Sequence, residues 1–600
     1  MNNLFWWPSF SQGQLNKLST YRESGIDARQ ALKLGMNAEP TMEWHSVYPT
    51  IAVHASNATD HPKAITVRFF AIYEGMEQAP IPIGEMDHFG WGNHWIPLPP
   101  VWSNIMRGLG PNESTKESVD VDPQRFLELY KFATELLIRD TVDYELLATE
   151  RHLATSSLGA ALDTYQHDGV KWLISRADLG ISSILADGMG IGKTSQALVA
   201  IRELTSDSDQ HCLVLLPSSL IPNWIKEAKR FTPSLRISVA DDRTPILRLE
   251  YDCLLASIDS SDLVSGVLRS IDWDLLVVDE AQFIKNSNTK RWALVSSITA
   301  RAKLLLTGTP IETATDDIHS LVEACHPGVL GTPQDFALLS HDDPAAAKKK
   351  IDRFVLRRDL ESVGIKLPDL VRQDELIAMP RHLAEQYASV IANLRAGLIS
   401  GLSAYQELRH ATIIDEQDEV WFGLGAKGEQ LEHLFFEAKA EKRKCLVFGH
   451  EIRQLDAFSA IAQRVGLPTF RIDGRVPQSE RESVVERFQA TNGGAIFVLS
   501  IKAASVGLNL QSATVIVFPS LEWNPAVESQ AIARAWRRGQ QRRVACIRLA
   551  YAGTLDEVVM DRSTERARLA AALAPARETP NQNEMALLLK QAVQSWEEVR

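Results

Sequence analysis

Three groups of residues in this chain have types and spacings that could do chemistry. The first is the run Asp187-Gly188-Met189-Gly190-Ile191-Gly192-Lys193-Thr194. Glycines at 188, 190 and 192 let backbone N–H groups face inward with no side chains in the way, as a cradle for phosphate oxygens requires. Lys193 adds a point charge for terminal phosphates, and the Thr194 hydroxyl is placed to ligate magnesium. The usual phosphate-loop spacing asks for glycine where Asp187 stands. The second group is Asp279-Glu280, at the end of the apolar run in WDLLVVDEAQ. Beside a phosphate loop, the aspartate suits magnesium and the glutamate can polarise an attacking water. The third is Gln530, Arg534, Arg537 and Gln540, three or four residues apart and so expected on one helix face. Arginines in such a row either form a salt-bridged surface or, facing a nucleotide across a cleft, act as fingers that stabilise transition-state charge.

The elements that would position these groups follow from the pattern. Ile184-Leu185-Ala186 reads as a buried strand entering the glycine turn, and SQALVAIREL reads as the helix leaving it. From Leu158 onward, apolar strands alternate with helices, which is the signature of a parallel α/β sheet. Gln166 opens a helix just upstream of the loop, where it either hydrogen-bonds an adenine edge or belongs to a solvated helix N-terminus. HCLVLLP ends in Pro217-Ser218-Ser219, suited to a nucleic-acid phosphate or to an ordinary N-cap. KLLLTGTP ends in a hydroxyl-rich turn, Thr307-Gly308-Thr309-Pro310, which either senses a γ-phosphate or is simply a turn. KCLVFGH, LPTFRIDGR, AIFVLS and VIVFPS then read as four buried strands of a second α/β unit, and LEWNPAVESQAIARAWRRGQ as its arginine-bearing helix.

With 600 residues, several domains are expected. Hydrophobic content of 45% and charged content of 23% are ordinary for globular protein. No apolar run reaches the roughly 18 residues of a membrane span, and the N-terminal MNNLFWWPSF lacks the pattern of a signal peptide. A formal net charge of −13 argues against coating nucleic acid by charge alone and leaves a local groove open. The five cysteines lie far apart with no C-x-x-C pair, which excludes a zinc ribbon and suits reduced thiols in a cytoplasmic setting.

Residues 1–150 differ in character. They hold Trp6, Trp7, Trp44, Trp91, Trp95 and Trp102, proline clusters, and more acidic than basic residues. YPTIAVHAS and KAITVRFFAIYEG alternate like paired strands, and VDPQRFLELYKFATELLIRD has helical spacing with a proline-marked start. We expect a small α+β domain followed by a helix. Its tryptophans either fill the core or dock a base or a protein partner.

Taken together, the two α/β repeats resemble a superfamily-two helicase core. More narrowly they resemble the Snf-type helicase-like ATPases, the motor family of chromatin remodellers and of the bacterial RNA-polymerase-recycling ATPase, whose branch is the nearer. The pieces that carry the resemblance are ADGMGIGKT, LLPSSLIPNWIKE, LLVVDEAQFIKN, LLLTGTPIE, FVLRR with LPDL, RIDGRVPQSERESVVERFQ, LSIKAASVGLNLQSA, WNPAVESQAIARAWRRGQ and AGTLDE, in family order. The resemblance implies two tandem RecA-like parallel-sheet lobes with an ATP cleft between them, over 155–358 and 359–570, preceded by the 1–150 domain and followed by a helical tail over 571–600. It implies ATP and Mg2+ as cofactors and duplex DNA as the track. A DNA-bound protein or RNA polymerase is the expected obstacle, the setting is cytoplasmic and nucleoid-associated, and residues 1–150 are the candidate partner-selecting module. Residue by residue, it implies that Gln166 reads adenine and that Gly188, Gly190, Gly192, Lys193 and Thr194 hold phosphates and magnesium. Asp279 would be the second magnesium anchor, Glu280 the catalytic base, and Arg534 and Arg537 the fingers. Gly507 and Asn509 would touch nucleotide, and Ser219 and Trp523 would line the DNA path. Departures stand at Gln282, where histidine is usual, at Gly188 for an acidic residue that should loosen the turn, and at Ala533 and Trp536 in the finger segment. A strand-separating helicase and an ATP-gated scaffold acting through residues 1–150 are the two rival functions.

Overall fold

The computed structural model describes residues 43–44, 49–58, 64–72, 79–81, 83, 88–91, 94–99, 101–109, 118–129, 136–140, 142, 162–206, 211–240, 250–308, 315–415, 417–501, 508–521, 525–561 and 582–599.

Two all-parallel sheets carry the fold. The first has seven strands in the order Ile237–Val239, Cys253–Ser257, Cys212–Leu216, Trp273–Val278, Ala300–Leu306, Ser183–Leu185 and Val355–Leu356. The second has six: Leu370–Ile377, Val544–Tyr551, Val515–Phe518, Lys444–Gly449, Ala495–Ser500 and Thr469–Ile472. Central strands such as Cys212–Leu216 and Lys444–Gly449 are buried at every position, because helices cover both faces of a parallel sheet. The continuous apolar runs in the sequence reflect that burial.

Both sheets are larger than the sequence pattern suggests. Val544–Tyr551 and Leu370–Ile377 extend the second sheet from four strands to six. The latter strand is exposed at most positions and rich in polar residues, so its register on Val544–Tyr551 comes from tertiary pairing and not from apolar periodicity. The chain passes from the first sheet to the second between Leu356 and Leu370.

In the N-terminal part, Thr50–Asn57 and Ile65–Ile72 form the expected strand pair, and it is antiparallel. The helix expected over VDPQRFLELYKFATELLIRD is cut short. Asp122 caps a helix over Pro123–Glu128 by accepting from the Arg125 N–H at 2.9 Å, while Leu136–Asp140 is a strand parallel to Thr50–Asn57. Leu-Leu-Ile satisfies either periodicity, and the open edge of Thr50–Asn57 decides for strand. Trp102 is fully buried and meets Phe69 edge-on at 5.0 Å, so this tryptophan is core. Trp6 and Trp7 lie outside the described residues.

The tail packs on the second lobe. Its helix, Gln582–Val599, packs on the second lobe's Arg381–Arg395 and Gly401–Ile413 through Leu588, Leu589 and Ala592, with Trp596 against Tyr387 at 4.9 Å. Among the described residues, no helix is long and apolar enough to cross a membrane.

Candidate active site

A parallel sheet sends every strand–helix turn out at one edge, and ligands of open α/β folds bind there. The turns after Leu185, Leu216, Val278, Leu306 and Leu356 therefore share the carboxyl edge of the first sheet. They hold the phosphate loop, Ser219, Asp279-Glu280, Thr307 and Arg358 respectively.

The loop opens its helix, Lys193–Leu204, from Gly192 in left-handed backbone with φ 90°. A side chain there would also collide with Gln166, whose Nε2 lies 2.2 Å from where a Cβ would sit. Gly190 is left-handed as well, but Gly188 is not, and its N–H is pinned to the Arg358 carbonyl at 2.7 Å. Lack of a side chain at Gly188 thus does not loosen the turn. Lys193 Nζ folds back onto the carbonyls of Asp187 and Gly188 at 2.7 and 3.2 Å. Thr194, half-buried, follows in the first turn of the helix.

Gln166 is buried and fully engaged. Its Oε1 accepts from the Asp163 N–H at 2.9 Å as part of a capping box, and its Nε2 donates to the Ile191 carbonyl at 2.8 Å. Tyr165 donates its hydroxyl to the same carbonyl at 2.9 Å. Both side chains of this helix start thus touch the phosphate loop, and a purine edge would compete for the Gln166 amide.

Asp279 is buried. Its Oδ2 accepts from the Trp224 indole N–H at 2.7 Å and its Oδ1 from the Glu280 N–H at 2.8 Å. Burial, with the Glu280 charge adding to it, pushes its carboxyl up to about 6 against the pull of those donors and Lys193. A hard divalent cation suits this crowded carboxylate pair, since each Asp279 oxygen keeps a second lone pair for it. Among the described residues no three His, Cys, Asp or Glu side chains converge to hold a metal. Magnesium would therefore take Asp279 and Thr194 from the protein and its other oxygens from phosphate and water.

Glu280 has φ 52°, the left-handed region that side chains other than glycine rarely adopt. The twist aims its carboxylate at Gln282, whose Nε2 donates to Glu280 Oε2 at 2.6 Å while its Oε1 accepts from the Thr307 hydroxyl at 3.3 Å. The amide in place of the usual histidine bridges base and turn. Gly308 passes close to Lys193, with 3.3 Å from a would-be Cβ to Nζ.

The second lobe closes the cleft. The helix expected to carry all four residues of the finger row ends at Ile532, and residues 533–540 continue as turns that break the common face. Gly539, at φ 95°, turns the chain back, and Gln540 points inward to the carbonyls of Gln511, Ala513 and Ala535. Trp536 donates to the Pro368 carbonyl at 2.7 Å, anchoring the loop to the lobe crossing. The two arginines face the first lobe. Arg537 Cβ lies 3.7 Å from where a Gly190 Cβ would be. Burial lowers Arg534 to about 10, against the opposing charge of Glu280, and lowers Arg537 against Glu227. Burial likewise lowers Lys193, opposed by Glu280, Asp187 and Asp279. Arg534 lies close enough to Lys193, and Arg537 to Arg534, for their charges to lower one another, and a gathering of cations of this kind suits a polyanion such as a triphosphate. Asn509 is exposed, with its carbonyl accepting from Gln489 at 2.7 Å. Gly507 and Trp523 lie outside the described residues, and so does Thr309.

Sequence reasoning missed three residues of this site. Trp224 orients Asp279. Arg358 holds Asp187. Arg538, beside the finger, makes a forked ion pair with Asp163, one arm at 3.0 Å. Trp224 stood in a matched motif, but a tryptophan on an amphipathic helix reads as core. Arg538 and Arg358 find their partners 375 and 171 residues away, beyond any local pattern.

Comparison with known proteins agrees with this geometry. The SNF2-related domain family matches residues 165–445 and the helicase conserved C-terminal domain matches 426–539. A mouse (Mus musculus) SWI/SNF-related matrix-associated actin-dependent regulator of chromatin, subfamily A member 1, is 30% identical over 452 residues, covering 68% of this chain and 43% of that protein. YwqA of Bacillus subtilis, named as an ATP-dependent helicase/translocase, is 28% identical over 68% of this chain and 48% of its own length. This chain thus spans less than half the length of either relative. The SWI2/SNF2 ATPase core of Sulfolobus solfataricus, solved with double-stranded DNA, is 27% identical over 69% of this chain and 94% of that one, at a TM-score of 0.35. With both matched domains in order and their motifs gathered at one cleft, this chain belongs to the Snf-type helicase-like ATPases of helicase superfamily two.

Proposed function

We propose that this protein is a DNA-dependent ATPase that moves along duplex DNA and displaces or remodels protein bound there. The observation that carries the reading is the approach of Arg537 to the phosphate loop, 3.7 Å from the would-be Gly190 Cβ, across the boundary between the two sheets. Hydrolysis by this site requires both lobes at once, so each catalytic cycle is tied to cleft opening and closing.

In the proposed step, Glu280 takes a proton from water as its oxygen bonds to the γ-phosphorus and the β–γ bridging bond breaks, leaving ADP. Gln282 fixes the orientation of the Glu280 carboxylate, and Trp224 that of Asp279. Lys193, Arg534 and Arg537 meet the charge that develops on the phosphoryl oxygens. Magnesium, when bound, would neutralise the β- and γ-phosphate oxygens. Gln166, Gly507 and Asn509 would contact the nucleotide, while Ser219 and Trp523 would lie on the DNA path, Ser219 from the carboxyl edge of the first sheet. Residues 1–150 would choose the target, with a DNA-bound protein or RNA polymerase as candidates, in a cytoplasmic setting.

Steady-state ATP hydrolysis tests the reading with no nucleic acid, duplex DNA, single-stranded DNA and RNA, beside Lys193→Ala. Stimulation chiefly by duplex DNA is expected, with no turnover in Lys193→Ala. Turnover indifferent to every nucleic acid would refute it in favour of an ATP-gated scaffold. Strand displacement on tailed duplexes would instead mark a strand-separating helicase.

A further inference from the structure

Asp187 occupies the position where a phosphate loop of common spacing has glycine, and its carboxylate is completely buried. A buried carboxylate needs a partner that satisfies both oxygens. That partner is Arg358, two residues beyond the last strand of the first sheet, in the stretch where the chain leaves for the second. Its Nε donates to Asp187 Oδ1 at 3.0 Å and its Nη2 to Oδ2 at 2.5 Å.

The same guanidinium reaches two more elements. Nη1 donates to the Tyr165 carbonyl at 2.5 Å, and Nη2 to Gln196 Oε1 at 2.8 Å. Gln196 in turn donates to Asp187 Oδ2 and to the Gly192 carbonyl, each at 3.3 Å. The Arg358 carbonyl accepts from the Gly188 N–H at 2.7 Å. One residue thus grips the loop on both sides of the Asp187–Gly188 peptide. The Asp187 carbonyl, on that peptide, carries Lys193 Nζ at 2.7 Å.

We propose that Arg358 is a positioning residue for the phosphate loop. It sets the loop backbone through Asp187 and Gly188 and so sets ATP affinity without touching ATP. Because it sits at the lobe crossing, it ties the shape of the loop to the position of the second lobe. The inference rests on the ATPase reading above. Lysine cannot replace the fork, since an ammonium reaches these acceptors as a single point charge.

The test measures phosphate release against ATP concentration for the full chain, with melting temperature alongside. The variants are Arg358→Lys, Arg358→Met, Asp187→Asn and the Arg358→Met/Asp187→Asn pair. KM for ATP should rise about tenfold in Arg358→Lys and further in Arg358→Met, as expected for losing a charge-assisted fork. The paired variant should be no worse than Arg358→Met, because both changes remove one contact. A purely structural role would lower melting temperature and apparent kcat together and leave KM at its wild-type value, and that pattern would overturn the proposal. Arg358→Lys is the milder variant and Asp187→Asn removes the buried charge, so the KM comparison survives if Arg358→Met does not fold. Equal phosphate release by wild type and Lys193→Ala would instead overturn the ATPase reading itself.

Discussion

Glu280 is the proposed catalytic base, and its left-handed backbone costs of the order of 1–3 kcal/mol that surrounding contacts must offset. The conformation aims the carboxylate at Gln282. Glu280→Gln should lower turnover by about 10²–10⁴ and leave ATP binding intact, measured by phosphate release and equilibrium nucleotide binding. A loss under about tenfold would remove Glu280 from the role of base. Arg537→Ala should cost about 10³ in kcat by the arginine-finger precedent, since among the described residues no other side chain of the second lobe comes as near Gly190. A small effect would make Arg537 structural and leave Arg534 as the sole finger. Gln282→Ala keeps both carboxylates but frees Glu280 from Thr307, so kcat should fall while KM for ATP holds.

At the scale of elements, the second lobe is held by buried polar ties as well as its apolar core. Lys427, on the helix Gly425–Ala440, donates to the carbonyls of Thr412 and Pro519 at 2.9 Å each and to Asp556 Oδ2 at 2.5 Å. All three ammonium protons are satisfied, so the helix is locked to a strand end of the sheet. Lys427→Ala would strand the Asp556 carboxylate, and a loss of about 3–5 kcal/mol by chemical denaturation is expected. Asp473, at the end of Thr469–Ile472, behaves differently. Burial pushes its carboxyl up, but Arg475 and Arg471 together outweigh burial and hold it at about 2. That lies below the unfolded value of about 3.9, so the contribution to stability is complete above roughly pH 4 and disappears as pH falls toward 2. Melting temperature against pH should show this acid loss, and Asp473→Asn should flatten that part of the curve.

At the scale of the whole molecule, two ion pairs among the described residues bridge the lobes. Lys226 meets Glu482 at 2.5 Å, and Arg538 pairs with Asp163, which caps the helix of Gln166. Both are largely exposed, and such pairs contribute about 0–1 kcal/mol each. They bias the cleft toward closure without locking it, as the proposed cycle of closing and reopening needs. Small-angle scattering should therefore show expansion as ionic strength rises from about 0.05 to 0.5 M, because salt screens exposed pairs. A radius of gyration indifferent to salt would mean that buried contacts hold the lobes together.

The sequence by itself determined the fold class and singled out the residues of the proposed chemistry. The glycine turn with Lys193-Thr194, Asp279-Glu280 and the buried strand runs are local patterns, and each strand–turn–helix unit is short enough for its spacing to specify it. Where two periodicities were satisfied at once, local pattern was blind. Leu136–Asp140 became a strand because an edge was open, and the finger segment left its helix after Ile532 because Gln540 and Trp536 found partners in the second lobe. Only the tertiary structure could pair Arg358 with Asp187, Trp224 with Asp279 or Arg538 with Asp163. Those partners are distant along the chain, and a parallel sheet brings them to one edge only after every crossover has been made.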